Sequence, residues 1–489
     1  MEHTFEGGSV NQRLVSGVRG EGLSEVGLPH SSDETGESQW SEGGNKSAFL
    51  GNKTWVTQEV AQTMEHELKG IRYQSKTYRK LETLMNRVNE ESIKAEHRKQ
   101  EGKKATGVDR VSKDEYGKQL DENVSDLIKR MKQFSYKPKP VRRTYIPKAN
   151  GKIRPLGIPS YEDKLVQGAM AGILNEVYEE RFCDTSYGFR PKRNAHEVVR
   201  FINQTLMTSK ANYVLEADIK GFFDNVNHDW LMKFLENDIA DKNFLRYIKR
   251  FLIAGVMEGT EYQESEKGTP QGGLISPILA NVYLHYVLDL WLEAKIKKQL
   301  KGEVHYVRYA DDFVLMFQYE DEAREVMELL KERLGKFGLE VAEEKTRVLP
   351  FGRYKGTKED FDFLGFAFFN TKTRGGKYRV GIRTSKQKLK AKRQVVKTWL
   401  KERMHKPVAE TMMKINLSLK GHCNYYGVNG NFRKIKDFYG YVKYTCYRTL
   451  NRRDQKGKLK RDKFYRIWDY YVREPHLTVD VWNWKPMLV

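Results

Sequence analysis

The sequence predicts an α+β region followed by a helical, strongly basic C-terminal module. Three observations predict it. Short β-rich runs separated by Gly and Pro alternate with helical stretches between residues 140 and 370. Apolar positions at helical spacing, such as Leu389, Val396, Trp399 and Leu400, follow them. Charge is unevenly spread: residues 371–470 hold 29 Lys and Arg against six acids, a net of +23, whereas the whole 489-residue chain carries +22. Such a surface seeks a polyanion. Hydrophobic content of 39% with 12% aromatics is enough to bury real cores, which excludes wholesale disorder.

Residues 1–50 are rich in Gly and Ser and carry three basic against eight acidic residues, so a disordered acidic leader is expected there. Its start has neither the basic nor the apolar part of a secretory signal. Residues 51–110 form a helical N-terminal extension on the spacing of Ile71, Leu81, Leu84, Met85, Val88 and Ile93, closed by Gly107-Val108-Asp109. Cys183, Cys423 and Cys446 are too few and too scattered for a disulfide framework or a four-cysteine zinc site, which fits a reducing, cytoplasmic setting. The apolar stretch Leu274–Leu292 is long enough for a membrane span, but Asn281, His285 and Asp289 are costly at bilayer depth, so a buried helix is expected and no membrane partner.

Residues 146–159 read as a β-hairpin around Asn150-Gly151 that presents Lys148, Lys152 and Arg154, cations suited to a triphosphate. The run from Tyr213 delivers Asp218, and Tyr309-Ala310-Asp311-Asp312 reads as a second hairpin with acids at its turn. Adjacent carboxylates repel, and divalent cations offset that repulsion. Two such ions, clamped by acids from both segments, would suit in-line phosphoryl transfer. The Gly-rich loop Lys267–Gly273 opens the apolar helix, and its Gln271 and Gly272 can approach a ligand closely. Phe223 can pack under a sugar or in a core; Lys345 can protonate pyrophosphate or stay solvated.

These segments, in order, resemble the reverse transcriptase/maturases encoded by group II introns. The match runs through IPKANGKIRPLGIP (146–159), SYGFRPKRNAHEVV (186–199), EADIKGFFDNVNHDWL (216–231), KGTPQGGLISPILANVYL (267–284), YADD (309–312), GLEVAEEKTRVLPFG (338–352) and FDFLGF (361–366). SLKGHCNYYGVNGNFRKIKDFYGYV (418–442) is similar to the family's thumb region. The resemblance implies a right-hand polymerase: fingers and palm over 111–370, then a helical thumb/maturase domain over 371–489. It implies Asp218, Asp311 and Asp312 as catalytic acids, which with the Ile219 carbonyl hold Mg²⁺. Lys148, Arg154, Phe223, Gln271 and Gly272 become nucleotide-binding residues, with Phe223 excluding a 2′-hydroxyl. Lys345 is a candidate general acid, and Phe363, Leu364, Gly365 and Phe366 a primer grip.

The implied partners are intron RNA, an RNA template with DNA primer, dNTPs and target DNA, met in a prokaryotic cytoplasm and at the nucleoid. The implied function is copying intron RNA into DNA and, as a maturase, promoting splicing and mobility. The paired CxxC motifs of the endonuclease found in many relatives do not occur, so the endonuclease-lacking type is expected, and the acidic leader has no counterpart in the family pattern. A splicing maturase, or a domesticated enzyme without retromobility, stays open as an alternative. Retention of all three acids favours an active polymerase.

Overall fold

The computed structural model describes residues 69–147, 153–269, 272–355, 357–453 and 459–483. The expected leader, and the extension up to residue 68, lie outside them. A helical segment at 69–77 and the helix Glu90–Lys99 follow, the latter started by Asn89, whose side chain accepts from the Ser92 N–H at 2.9 Å. Ile71, Leu81, Leu84, Val88 and Ile93 are buried and Met85 partly so, but the expected helix is interrupted between 78 and 88, where Leu81 bridges in parallel to Ile239 and Met85–Arg87 is a single 3-10 turn.

Strands β1 (Val141–Pro147) and β2 (Ile153–Ile158) pair antiparallel as the expected hairpin, whose turn lies outside the described residues. β3 (Tyr213–Ala217) is the apolar run ahead of Asp218. β4 (Val256–Glu258) pairs parallel with β1, and β5 (Glu261–Gln263) pairs with β4, giving a first sheet ordered β2-β1-β4-β5. β6 (Val304–Tyr309), β7 (Asp312–Phe317) and β8 (Arg347–Pro350) join β3 in a second sheet ordered β6-β7-β3-β8. β9 (Asp360–Phe363), β10 (Phe366–Lys372) and β11 (Tyr378–Thr384) make the third, with β10 central.

The second sheet is apolar on both faces, because successive side chains point to opposite sides. Leu215, Phe313, Leu315 and Phe317 enter the large core with the helices Tyr161–Glu179, His228–Asp238, Ser276–Leu284 and Glu320–Lys336. Val214, Val307, Val314 and Met316 enter a second core with the helix Ala195–Thr208 and the third sheet. The stretch from Leu274 is the expected buried helix: it runs Ser276–Leu284 and continues in wider π-type turns at His285–Asp289 and Leu292–Ile296. Among the described residues no helix is long and apolar enough to cross a membrane.

The helices Lys386–Glu402, Val408–Tyr426, Phe432–Leu450 and Arg461–Tyr471 form a bundle with its own core. Leu389, Val396, Trp399 and Leu400 are the buried residues of the first of these, and Trp468 Nε1 donates to the Tyr439 hydroxyl at 2.7 Å. The expected division at 370/371 needs correction. It falls inside β10, which pairs with a strand on each side, so hydrogen bonding carries the sheet across the charge boundary and the bundle starts at Lys386.

Candidate active site

The Asp311-Asp312 pair sits on a turn with two loop residues, Ala310 and Asp311, since Tyr309 and Asp312 close the β6–β7 ladder. Ala310 takes φ +58°, a left-handed conformation that an alanine adopts at a cost of roughly 1–2 kcal/mol. Two features hold it there. The Arg308 guanidinium donates from Nη1 to the Ala310 carbonyl at 2.9 Å, and Gly188 lies so close that a Cβ would stand 2.2 Å from the Ala310 nitrogen.

Arg308 is fully buried and pairs with Asp289, also fully buried, at 2.8 Å from Nε and 2.5 Å from Nη2. It donates further to Asn281 Oδ1 at 2.9 Å and Ser186 Oγ at 2.7 Å. The Tyr306 hydroxyl donates to Asp289 at 2.6 Å, and Asn281 Nδ2 donates to the Gly188 carbonyl at 2.7 Å. A buried charge is stable only with such a full set of partners.

Asp218 follows β3, one residue past the Ala217–Phe313 pair, which sets it alongside Asp312. Its carbonyl accepts from the Ala342 N–H at 2.8 Å, and Ile219, side chain buried, bridges to Val341. That bridge brings the turn Glu343–Lys345 to the site, where Lys345 Nζ donates to Asp218 Oδ2. Asp312 opens to solvent as a residue, yet desolvation of its carboxyl and the charges of Asp311 and Asp218 push its pKa up to about 7. Burial likewise raises Asp311, helped by Asp218 and opposed by the cations of Arg154 and Lys345. The three acids therefore feel one another, and Arg154, exposed on β2, faces them.

Three carboxylates form a hard oxygen donor set, the chemistry that Mg²⁺ prefers, and their mutual repulsion is what a cation would relieve. Among the described residues no three Asp, Glu, His or Cys side chains stand disposed around one point as metal ligands, and Asp218 is turned onto Lys345. The donor types fit a divalent ion; the side chains holding it would exchange the Lys345 contact for it.

Lys148, Lys152 and Gln271 lie outside the described residues. Gly272 takes φ +114°, and a Cβ there would stand 2.6 Å from the Gly157 carbonyl, so only glycine lets this loop approach β2. Phe223 is half-buried against the large core, and its carbonyl accepts from the Thr269 N–H at 2.8 Å. The Gly-rich loop is thus tied to the segment after Asp218. Phe363 and Phe366 pair across the β9–β10 hairpin, with Leu364 at φ +49° and Gly365 at φ +79° in its turn.

Residues 146–368 match the family model described as reverse transcriptase (RNA-dependent DNA polymerase). The chain is 30% identical to the group II intron-encoded protein LtrA of Lactococcus lactis subsp. cremoris, over 68% of this chain and 67% of that protein. It is 32% identical to protein YkfC of Escherichia coli (strain K12), over 57% of this chain and 80% of that one. The chain belongs to the group II intron-encoded reverse transcriptase/maturase family. This reverse transcriptase/maturase is also 27% identical to nuclear intron maturase 2, mitochondrial, of Arabidopsis thaliana, over 28% of this chain and 24% of that protein. It is an RNA-directed DNA polymerase, of a family that uses divalent metal ions.

Sequence reasoning missed the support beneath the acids of this reverse transcriptase/maturase. Asn281 and Asp289 were read only as obstacles to a membrane span, and Arg308 only as part of a β run. The available signal was a pair of opposite charges set in apolar runs, each directly after a core residue, Leu288 and Val307. The aromatics of the bundle also divide: Phe438 is core, Tyr444 is 57% exposed, and Tyr425 and Tyr426 pack on Phe366.

Proposed function

We propose that this chain copies intron RNA into DNA by two-metal-ion nucleotidyl transfer and binds the same RNA as a maturase to promote splicing and mobility. The observation that carries the reading is the convergence of Asp218, Asp311 and Asp312 on one end of the second sheet, within mutual electrostatic reach. In a right-hand description the first sheet belongs to the fingers, the second to the palm and the bundle to the thumb. Asp218, Asp311 and Asp312, with the Ile219 carbonyl, would hold Mg²⁺. Bound there, the ions would lower the pKa of the primer 3′-hydroxyl and balance charge on the leaving pyrophosphate.

The chain's own residues do the rest. Arg154, with Lys148, binds the triphosphate; Gln271 and Gly272 seat the incoming dNTP against the template; Phe223 excludes a 2′-hydroxyl. Lys345 Nζ, beside Asp218, holds a proton within reach of the departing pyrophosphate. Phe363–Phe366 orients the primer end. Net positive charge on the bundle, with exposed Tyr444, Tyr465 and Tyr470, suits structured intron RNA, and target DNA would follow it into the cytoplasmic, nucleoid-associated complex.

Primer extension on an RNA template by wild type and Asp311→Ala/Asp312→Ala tests the assignment: extension should vanish, and undiminished extension by the variant would sink it. Splicing of a cognate intron by the same variant should persist. Loss of splicing by a variant that still folds would merge RNA binding with catalysis and refute their separation. Splicing with no extension by the wild type would favour the splicing-only reading.

A further inference from the structure

The bundle helix Val408–Tyr426 ends in Asn424-Tyr425-Tyr426, and both tyrosines reach the β9–β10 turn. The Tyr425 hydroxyl donates to the Leu364 carbonyl at 2.8 Å, and its ring stacks on Phe366 with centroids 5.5 Å apart and planes at 25°. Its carbonyl accepts from His196 Nε2 at 2.8 Å, which anchors the helix end to the helix Ala195–Thr208 under the second sheet. The Tyr426 ring lies 5.1 Å from Phe366 on a tilted contact, and its hydroxyl stands 2.7 Å from where a Gly365 Cβ would be. Asn431 closes the joint: Nδ2 donates to the Tyr426 carbonyl and to Thr384 Oγ1, and Oδ1 accepts from the Thr384 N–H, each at 2.8 Å. The next residue, Ser385, donates its N–H to the Gly365 carbonyl at 2.9 Å.

Both carbonyls of the turn are therefore occupied by groups that belong to the bundle or lead into it. The turn needs this support, because Leu364 is a branched residue held at positive φ. The joint also adjoins the acids: burial, then neighbouring tyrosines and the Asp312 carboxylate, raise the pKa of the Tyr425 hydroxyl.

We infer that Tyr425 and Tyr426 are positioning residues for polymerisation, fixing the Leu364-Gly365 turn, and with it the primer 3′ end, relative to Asp311 and Asp312. The inference rests on the reading of Phe363–Phe366 as a primer grip. It gives the Asn424-Tyr425-Tyr426 motif a role in DNA synthesis distinct from RNA binding, and makes bundle docking and primer placement share one joint.

The full chain is tested in single-turnover addition of one dNTP to a DNA primer annealed to RNA. Tyr425→Phe keeps the ring and removes the hydroxyl; the rate should fall roughly five-fold, the size expected for one neutral hydrogen bond. The dNTP KM and the affinity for primer–template should stay at wild-type values, and the Tm should fall by no more than about 4 °C. An unchanged rate overturns the inference while leaving the polymerase reading intact. A slower rate matched by an equal loss of primer–template affinity also overturns it, since the tyrosine would then serve binding alone. A wild type unable to extend the primer overturns both.

The second arm uses Gly365→Ala, which should slow extension more than ten-fold by collision with the Tyr426 hydroxyl and by strain at φ +79°. Adding Tyr426→Phe leaves the Cζ at 3.6 Å as the nearest atom, an ordinary contact, so the double variant should regain part of the rate. A double variant no faster than Gly365→Ala would refute the joint.

Discussion

Replacing Arg308 by Met should separate the stability of this polymerase from its catalysis. Arg308 and Asp289 are both at 0% side-chain exposure. Removing the guanidinium leaves the Asp289 carboxylate buried with the Tyr306 hydroxyl, and with His285 Nδ1 at 4.0 Å. Breaking one side of such a pair costs about 3–5 kcal/mol, a large part of the roughly 5–15 kcal/mol that holds a domain folded. Replacing both partners, Arg308→Met/Asp289→Leu, removes the stranded charge, and apolar substitutes for buried pairs are commonly neutral. Asn281 Oδ1, Ser186 Oγ and the Ala310 carbonyl still lose a donor and the Tyr306 hydroxyl its acceptor, at about 1–3 kcal/mol for each left unsatisfied, so the double variant should regain some of the stability lost to the stranded charge but fall short of wild type. Activity should follow a different course. In both variants the Ala310 carbonyl loses its clamp while φ stays at +58°, so primer extension should remain low even where stability returns. Urea denaturation monitored by tryptophan fluorescence, with extension assayed where every variant is folded, measures both quantities. A single variant destabilised by less than about 1 kcal/mol, against the cost expected for a broken buried pair, would refute the electrostatic reasoning. A double variant that regained stability and activity together would refute the clamp.

Phe223→Val should admit ribonucleotides, read as a rise in rNTP relative to dNTP incorporation; an unchanged ratio places Phe223 in the core alone. His422, buried between Tyr426 and Phe438 with both ring nitrogens unpartnered among the described residues, has its pKa lowered to about 3 by burial, then by the Lys392 charge. Below its unfolded value near 6.5 the unfolded chain takes up a proton that the native one refuses, so stability should fall as pH drops from about 6.5 towards 3, by at most about 1.4 kcal/mol per pH unit. His422→Phe should flatten that slope in urea midpoints taken across the range; parallel slopes would exclude the histidine as the source. Affinity for intron RNA should drop steeply with KCl in an anisotropy titration, and a flat response would contradict binding through the basic bundle.

The parts of the fold that are local in sequence were legible. Short apolar runs led to the acids that follow β3 and open β7, Asn150-Gly151 marked a hairpin, and Leu389, Val396, Trp399 and Leu400 marked one buried helical face. What was illegible depends on partners distant in the chain. The parallel pairing of β1 with β4 and the bridge of Ile219 to Val341 are set by packing of whole layers, and the second of these decides that Lys345 meets Asp218. Composition also misleads about the bundle's aromatics, because alternation with Lys and Arg does not tell a ring facing RNA, such as Tyr444 in the proposed reading, from one that packs on Phe366.

The two hairpin turns at the site are built alike but not held with equal strength. Each puts a non-glycine residue at positive φ, Ala310 in one and Leu364 in the other, and each has that residue's carbonyl bound by a side chain from elsewhere. The strain is similar, roughly 1–2 kcal/mol. The clamps differ: the charged Arg308 bond is worth about 1.5–3 kcal/mol and is buried in a network, whereas the neutral Tyr425 bond is worth about 0.5–1.5 kcal/mol. The Ala310-Asp311 turn is therefore over-determined from beneath, independent of the bundle. The β9–β10 turn is close to balance and depends on the bundle staying docked. On the proposed reading, a perturbation that loosens the bundle should misplace the primer before it disturbs Asp311 and Asp312, so nucleotide addition would fail while these carboxylates kept their arrangement.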